Sequence, residues 1–211
     1  MSETERLVFI VDDDQDIRTS LTRALRQRGF AVEAFESARA FLAAFDGSRA
    51  ACLVLDYGMP EVNGLELQEE LNRLQWPLAV VFITGHGGVR ESVQAMRGGA
   101  IDFLEKPFRQ SELVERIESA LDIARERHAA QASRQAFRTR FSRLTERETE
   151  IVEQVLANPA EASSKEIGLA LGISPRTVDH HRARILEKLN VRSLVELVRL
   201  ATTVGGEGQP E

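Results

Sequence analysis

Five short apolar runs separated by amphipathic stretches fill the first half of this chain, and they constrain its fold more tightly than any other feature. The runs are LVFIV at 7–11, AVEAF at 31–35, ACLVL at 51–55, LAVVFIT at 78–84 and DFLE at 102–105. Between them Ile17, Leu21, Ala24 and Leu25 share one helical face. So do Ala38, Phe41 and Leu42, then Leu65, Leu67 and Leu71, then Val89, Val93 and Met96. Short strands alternating with helices require right-handed crossovers, so the expected fold is α/β, a doubly wound five-stranded parallel sheet covered on both faces. In such a sheet a ligand site forms beyond the carboxyl ends of the strands.

The last third reads as all-α. Ser or Thr followed three residues later by Glu marks capping boxes at Thr145/Glu148, Ser163/Glu166 and Ser193/Glu196. A fourth start, Ser174 then Pro175, sets a capping hydroxyl before a proline at the first helical position. These signals predict four helices at about 145–156, 164–171, 175–189 and 193–203. Gly172 suits a left-handed C-cap in LGIS, so the second and third helices form a helix-turn-helix. From 109 to about 141 there is no Gly or Pro, which predicts a helix that closes the first domain and runs on as a linker with a fraying far end. Its apolar face, Leu113, Ile117, Ala120 and Leu121, fades after Ile123. The expected organisation is 1–122, a linker helix at 123–142, a helix-turn-helix domain at 143–204 and a disordered tail at 205–211.

Charge is unevenly spread. Residues 1–120 carry 13 Lys and Arg against 20 Asp and Glu, and residues 143–211 carry 9 against 11, so neither half is basic as a whole. Between Ser174 and Arg192, however, five basic residues face two acids. A content of 43% hydrophobic and 28% charged residues fits a globular chain. No apolar stretch approaches the roughly 20 residues needed to span a bilayer. The start MSETERLVFIV lacks the pattern of a secretory signal. A single cysteine, Cys52, excludes an internal disulfide. The expectation is a cytoplasmic protein without membrane contact.

Carboxylates collect at the strand ends. The first strand ends in VDDDQD with Asp12 and Asp13, the third runs into Asp56, the fourth ends at Thr84, and Lys106 precedes Pro107 after the fifth. One of Asp14 and Asp16 is expected to cap the helix starting near Ile17. Clustered carboxylates repel one another and call for a counterion. Oxygen ligands at an open site favour Mg²⁺, beside which Asp56 can attack a phosphoryl group as a nucleophile. Lys106 and Thr84 supply a positive charge and a hydroxyl for the phosphoryl oxygens.

The stretches VDDD (11–14), LVLDYGMPEVNGLEL (53–67), VFITGHG (81–87) and GAIDFLEKPF (99–108) resemble the receiver domain of two-component response regulators, which has a flavodoxin-like fold. LTERETEIV (144–152) and SKEIGLALGISPRTVDHHRARILEKLNVRS (164–193) resemble a LuxR-type helix-turn-helix. Together they are similar to the FixJ-like branch of the NarL/FixJ family. The resemblance implies that Asp56 is phosphorylated by a sensor histidine kinase. It further implies that Asp13, Asp56 and the Gly58 carbonyl bind Mg²⁺, with Asp12 acting largely through water, and that Thr84 and Lys106 hold the phosphoryl oxygens. Thr84, Phe103 and Pro107 would belong to the switch, the Lys106–Pro107 peptide being cis. Phosphorylation would drive homodimerisation, binding of promoter DNA and communication with RNA polymerase, with no turnover beyond slow autodephosphorylation.

Helix 175–189 buries Val178, Ile185 and Leu189 by its periodicity and leaves its basic residues outward. By resemblance Asp179, His180 and Ala183 read bases, while Lys165, Arg176, Thr177, Arg184 and Lys188 contact the DNA backbone. His181 is expected to pack inward. The connection LANPAEASSKEI is about three residues longer than is usual in the family, with Asn158 in the place of a glycine as a left-handed cap. Two rivals stand beside this reading. A haloacid-dehalogenase-type phosphatase would need an acid two residues after its nucleophile, where this chain has Gly58. The other keeps the switch and gives the rear domain to protein contacts.

Overall fold

The computed structural model describes residues 6–85, 89–159 and 162–205. Two compact units divide the chain, Met1–Gln131 and Ala132–Glu211. Among the described residues no helix is long and apolar enough to cross a membrane.

Strands β1 (Leu7–Val11), β2 (Ala31–Phe35), β3 (Ala51–Asp56), β4 (Leu78–Thr84) and β5 (Asp102–Glu105) form one sheet in the order β2-β1-β3-β4-β5. All four pairings are parallel. Alternation of side chains along each strand splits the core into two layers. Leu7, Phe9, Leu53, Leu55, Val80 and Phe82 pack on one face with Ala38 and Phe41 of α2 (Ala38–Ala44) and Leu67 and Leu71 of α3 (Gly64–Leu74). Val8, Ile10, Cys52, Val54, Val81 and Ile83 pack on the other with Leu21 and Leu25 of α1 (Gln15–Arg26) and the first turns of α5 (Gln110–Phe141). The expected sheet and both helical layers are present. The strand order reverses beside β1, so the ends of β1 and β3 flank the crevice where such sheets hold ligands.

The helix α4 (Val89–Arg97) differs from its periodic reading. Val89, Val93 and Met96 are exposed at 83%, 44% and 46%, and Ala95 is its buried residue. The apolar stripe therefore points away from the sheet, because the small Ala95 is what packs against it. The helix α5 runs without a break from Gln110 to Phe141. Phe137 is buried and Phe141 packs beside it in the core of the second unit, which holds that end in place.

In the second unit α6 (Glu146–Ala157), α7 (Ser164–Leu171), α8 (Pro175–Leu189) and α9 (Leu194–Gly205) surround Ile151, Val152, Val155, Ile167, Val178, Ile185, Leu189 and Leu197. Thr145 and Ser163 close full capping boxes with Glu148 and Glu166. Ser193 caps the Glu196 N–H at 3.1 Å, but Glu196 reaches back to the Arg192 N–H instead of that of Ser193, so this box is shifted by one residue. Asn158 is no left-handed cap: its φ of −134° lies outside that region, and it ends α6 by donating its N–H to Gln154 O. Helix α9 extends to Gly205, and of the expected tail residues 206–211 lie outside the described residues.

Candidate functional site

In the first unit the strand ends bring the acids together. Asp12 follows β1 and its N–H donates to Phe35 O at 3.3 Å, fixing the chain beside β2. Asp56 ends β3 opposite Ile83, and the next N–H, of Tyr57, donates to Ile83 O at 3.0 Å. Thr84 ends β4 opposite Glu105, and the Lys106 N–H donates to Thr84 O at 2.7 Å. Sheet hydrogen bonding thus delivers residues far apart in sequence to one rim.

Lys106 binds the site together. Its Nζ donates to Asp12 Oδ2 at 2.8 Å and to Asp56 Oδ1 at 2.7 Å. The remaining oxygens are also engaged: Asp12 Oδ1 accepts from the Asp14 N–H at 2.9 Å and Asp56 Oδ2 from the Gly58 N–H at 2.7 Å. Asp12 and Thr84 are buried, and Asp56 is 7% exposed. Burial alone pushes the Lys106 ammonium down. Its hydrogen bonds and the charges of Asp12 and Asp56 outweigh that and hold it above the ordinary lysine value. The Lys106–Pro107 peptide is cis. Phe103 is half-buried, with its ring 6.3 Å from those of Tyr57 and Phe82.

The metal set is only partly gathered. Asp13 is exposed, while Asp12 and Asp56 converge on Lys106. Among the described residues no three acidic, His or Cys side chains form a ready metal cluster. The donor chemistry nevertheless suits a hard cation, for every side-chain donor is a carboxylate and one ammonium already bridges two of them.

One support was not singled out from sequence: Arg18 donates from Nη1 to Asp12 O at 2.8 Å. Of the two acids expected to cap α1, Asp14 does so, accepting from the Asp16 and Ile17 N–H groups. Gly64 is required for closeness: a Cβ there would lie 2.6 Å from Asp56 O and 2.7 Å from the Phe82 ring. The N-x-x-E spacing of Asn63 and Glu66, which closes a capping box on α3, was a signal for that segment's path.

In the second unit Gly172 is left-handed, at φ 67°, and Ser174 caps α8 by accepting from the Thr177 N–H at 3.1 Å. Gly168 lets the turn close, since a Cβ would sit 2.7 Å from Ile173 O. Arg147, also missed from sequence, donates to Leu171 O at 2.7 Å and ties α6 to the end of α7. Lys165, Arg176, Thr177, Asp179, His180, Ala183 and Arg184 are exposed, and His181 is half-buried. Two of the predicted contact residues are already engaged. Thr177 Oγ1 shares a hydrogen bond with Ser174 Oγ at 2.7 Å, and Asp179 accepts from Ser164 Oγ.

Lys188, expected on the outward face, is half-buried and turns its ammonium toward α6. Its Nζ lies 2.6 Å from Oε2 of Glu148, which is 2% exposed. A buried carboxylate needs a partner, and the nearest cation on α8 supplies it. Burial pushes Glu148 up, but Lys188 and the Thr145 backbone and hydroxyl outweigh it and hold the carboxyl below the ordinary glutamate value.

Comparison with known proteins agrees with both units. The family described as the response regulator receiver domain matches residues 8–118, and that of bacterial regulatory proteins of the luxR family matches 142–201. The chain is 41% identical to the transcriptional regulatory protein FixJ of Rhizobium meliloti, over 96% of this chain and 98% of that one. It is 38% identical to nodulation protein W of Bradyrhizobium diazoefficiens, over 97% and 88%. Among solved structures it is similar to the response regulator StyR, with a TM-score of 0.76, 41% identity and coverage of 93% and 98%. It is also similar to full-length FixJ of B. japonicum, with a TM-score of 0.57, 39% identity and coverage of 96% and 98%.

Proposed function

This chain belongs to the two-component response regulators that join a receiver domain to a LuxR-type DNA-binding domain, and from that premise we propose that Asp56 is its phosphoacceptor. The observation that carries the proposal is Lys106 holding Asp12 and Asp56 together at the rim of the sheet. Proteins of this family are transcription regulators and not enzymes in the ordinary sense; a receiver implies a sensor kinase as partner, and a LuxR-type domain implies promoter DNA.

A carboxylate oxygen of Asp56 attacks the phosphorus of a kinase phosphohistidine. The P–N bond breaks, and the imidazole leaves as the acyl phosphate forms. Receiver domains bind Mg²⁺ at this position, and here Asp13, Asp56 and the Gly58 carbonyl would hold it, with Asp12 through water. The ion supplies charge neutralisation for the incoming phosphoryl group. Lys106 and Thr84 hold phosphoryl oxygens. The added group carries close to two negative charges, which draws Thr84 inward and opens space into which Phe103 turns. Moving from mostly inactive to mostly active requires about 5 kcal/mol of preference. Charge-assisted hydrogen bonds of roughly 1.5–3 kcal/mol each suffice.

The switched surface spans α4, β5 and the start of α5. The exposed stripe of Val89, Val93 and Met96 supports its use in pairing two copies. The dimer presents two α8 helices to half-sites about one helical turn apart, from the cytoplasm, and contacts RNA polymerase. Incubation with phosphoramidate and Mg²⁺ followed by intact mass measurement tests the acceptor. The wild type gains one phosphoryl group and Asp56→Asn gains none. Equal labelling of the variant would remove Asp56 from the role.

A further inference from the structure

Ser164 opens α7, yet its hydroxyl does not cap that helix, because Ser163 already accepts from the Glu166 N–H at 3.3 Å. The Ser164 hydroxyl instead serves α8. Its Oγ–H donates to Asp179 Oδ1, and its Oγ accepts from Arg182 Nη1 at 2.8 Å. Arg182 is itself half-buried and also donates to Ala162 O at 3.4 Å. The hydroxyl uses both its donor and an acceptor lone pair, linking a guanidinium to a carboxylate three residues earlier on the same helix.

Asp179 lies in the first turns of α8, on its exposed side. In a helix-turn-helix those turns meet base edges in the major groove. Asp179 Oδ1 is taken by Ser164, and Oδ2 lies outside this relay. A carboxylate oxygen has only acceptor character, so it pairs with an amino group, cytosine N4 or adenine N6. It is repelled by guanine O6 and N7 and by thymine O4. Its charge also opposes every phosphate nearby, a cost that is the same for all sequences. An acid at this position weakens general binding and discriminates only if its rotamer is fixed.

We propose that Ser164 is a positioning residue for DNA specificity: it holds Asp179 as an oriented acceptor that selects a base presenting an amino group. The inference rests on the DNA-binding reading above. It separates two effects of one side chain, since the charge of Asp179 sets general affinity and the hydroxyl of Ser164 sets where its acceptor points.

Selection from random-sequence DNA by the phosphorylated full chain, with base frequencies read at every position, tests this for wild type, Ser164→Ala, Ser164→Thr and Asp179→Ala. Circular dichroism checks that each variant is folded. Wild type is expected to favour one orientation of a base pair over its reversal, C·G against G·C or A·T against T·A, at one position in each half-site by roughly tenfold, the size of one mismatched pair. Ser164→Ala lowers that one preference severalfold and leaves the rest of the site and the salt dependence unchanged, and Ser164→Thr restores it. Asp179→Ala abolishes the preference and tightens binding to unrelated DNA. Identical preferences in wild type and Ser164→Ala would overturn the positioning role. An unchanged preference at that position in Asp179→Ala would overturn the acceptor assignment. Failure of the wild type to enrich any sequence would overturn the DNA-binding reading, and this inference with it.

Discussion

Lys188 Nζ sits 2.6 Å from Glu148 Oε2, so the last turn of α8 is fastened to the first turn of α6. The pair divides the basic residues of α8 into two kinds. Arg184 is exposed, whereas Lys188 neutralises a buried acid. A cation committed to a buried carboxylate is not free to displace counterions from DNA.

Arg184→Ala is therefore expected to lower the slope of log binding constant against log salt by about one, the share of one phosphate contact. Lys188→Ala should leave the slope unchanged and instead destabilise the second unit by about 1–3 kcal/mol, because Glu148 is left buried without its cation. Fluorescence anisotropy over a salt series and thermal denaturation separate the two. Equal slopes lost in both variants would return Lys188 to the DNA face.

Acidification should act through the same pair. The folded Glu148 titrates below its ordinary value, so the folded state binds its proton less readily than the unfolded chain does. Its stabilising contribution is complete above the ordinary glutamate value and disappears as pH falls through the lower folded value. Urea unfolding of the second unit between neutral pH and the acid side of the glutamate range should show this loss. Glu148→Gln should be less stable at neutral pH and show a flatter pH dependence; parallel pH curves would contradict the assignment.

Gly64→Ala places a methyl group 2.6 Å from Asp56 O and 2.7 Å from the Phe82 ring. Neither the strand end nor a buried aromatic can retreat without moving the acceptor. A cost of about 1–3 kcal/mol is expected in denaturant unfolding, together with slower phosphorylation from the displaced Asp56. Wild-type stability would show that the contact is relieved elsewhere.

Lys106→Met keeps most of the aliphatic stem but removes the charge between Asp12 and Asp56. The two acids then repel, and a divalent cation relieves them, so Mg²⁺ should bind more tightly by titration calorimetry. Labelling by phosphoramidate should nevertheless slow by roughly 10- to 100-fold, the worth of one hydrogen bond to a charged group. Unchanged labelling would exclude Lys106 from holding the phosphoryl oxygens.

The layered sheet is legible in residue order alone, because apolar alternation along each strand is a local pattern that leaves few ways to bury both faces. So are the placement of Asp12, Asp56, Thr84 and Lys106 at strand ends and the helix-turn-helix, whose caps at Ser163, Gly172 and Ser174 are written in residue type. The direction in which α4 turns its stripe emerged from packing, since helical periodicity fixes a face but not what that face meets. Three side-chain partnerships are likewise contacts between segments distant in sequence: Lys106 across Asp12 and Asp56, Lys188 on Glu148, and Ser164 between Arg182 and Asp179. A charge counted along a chain looks free until the folded neighbours that compete for it are in place.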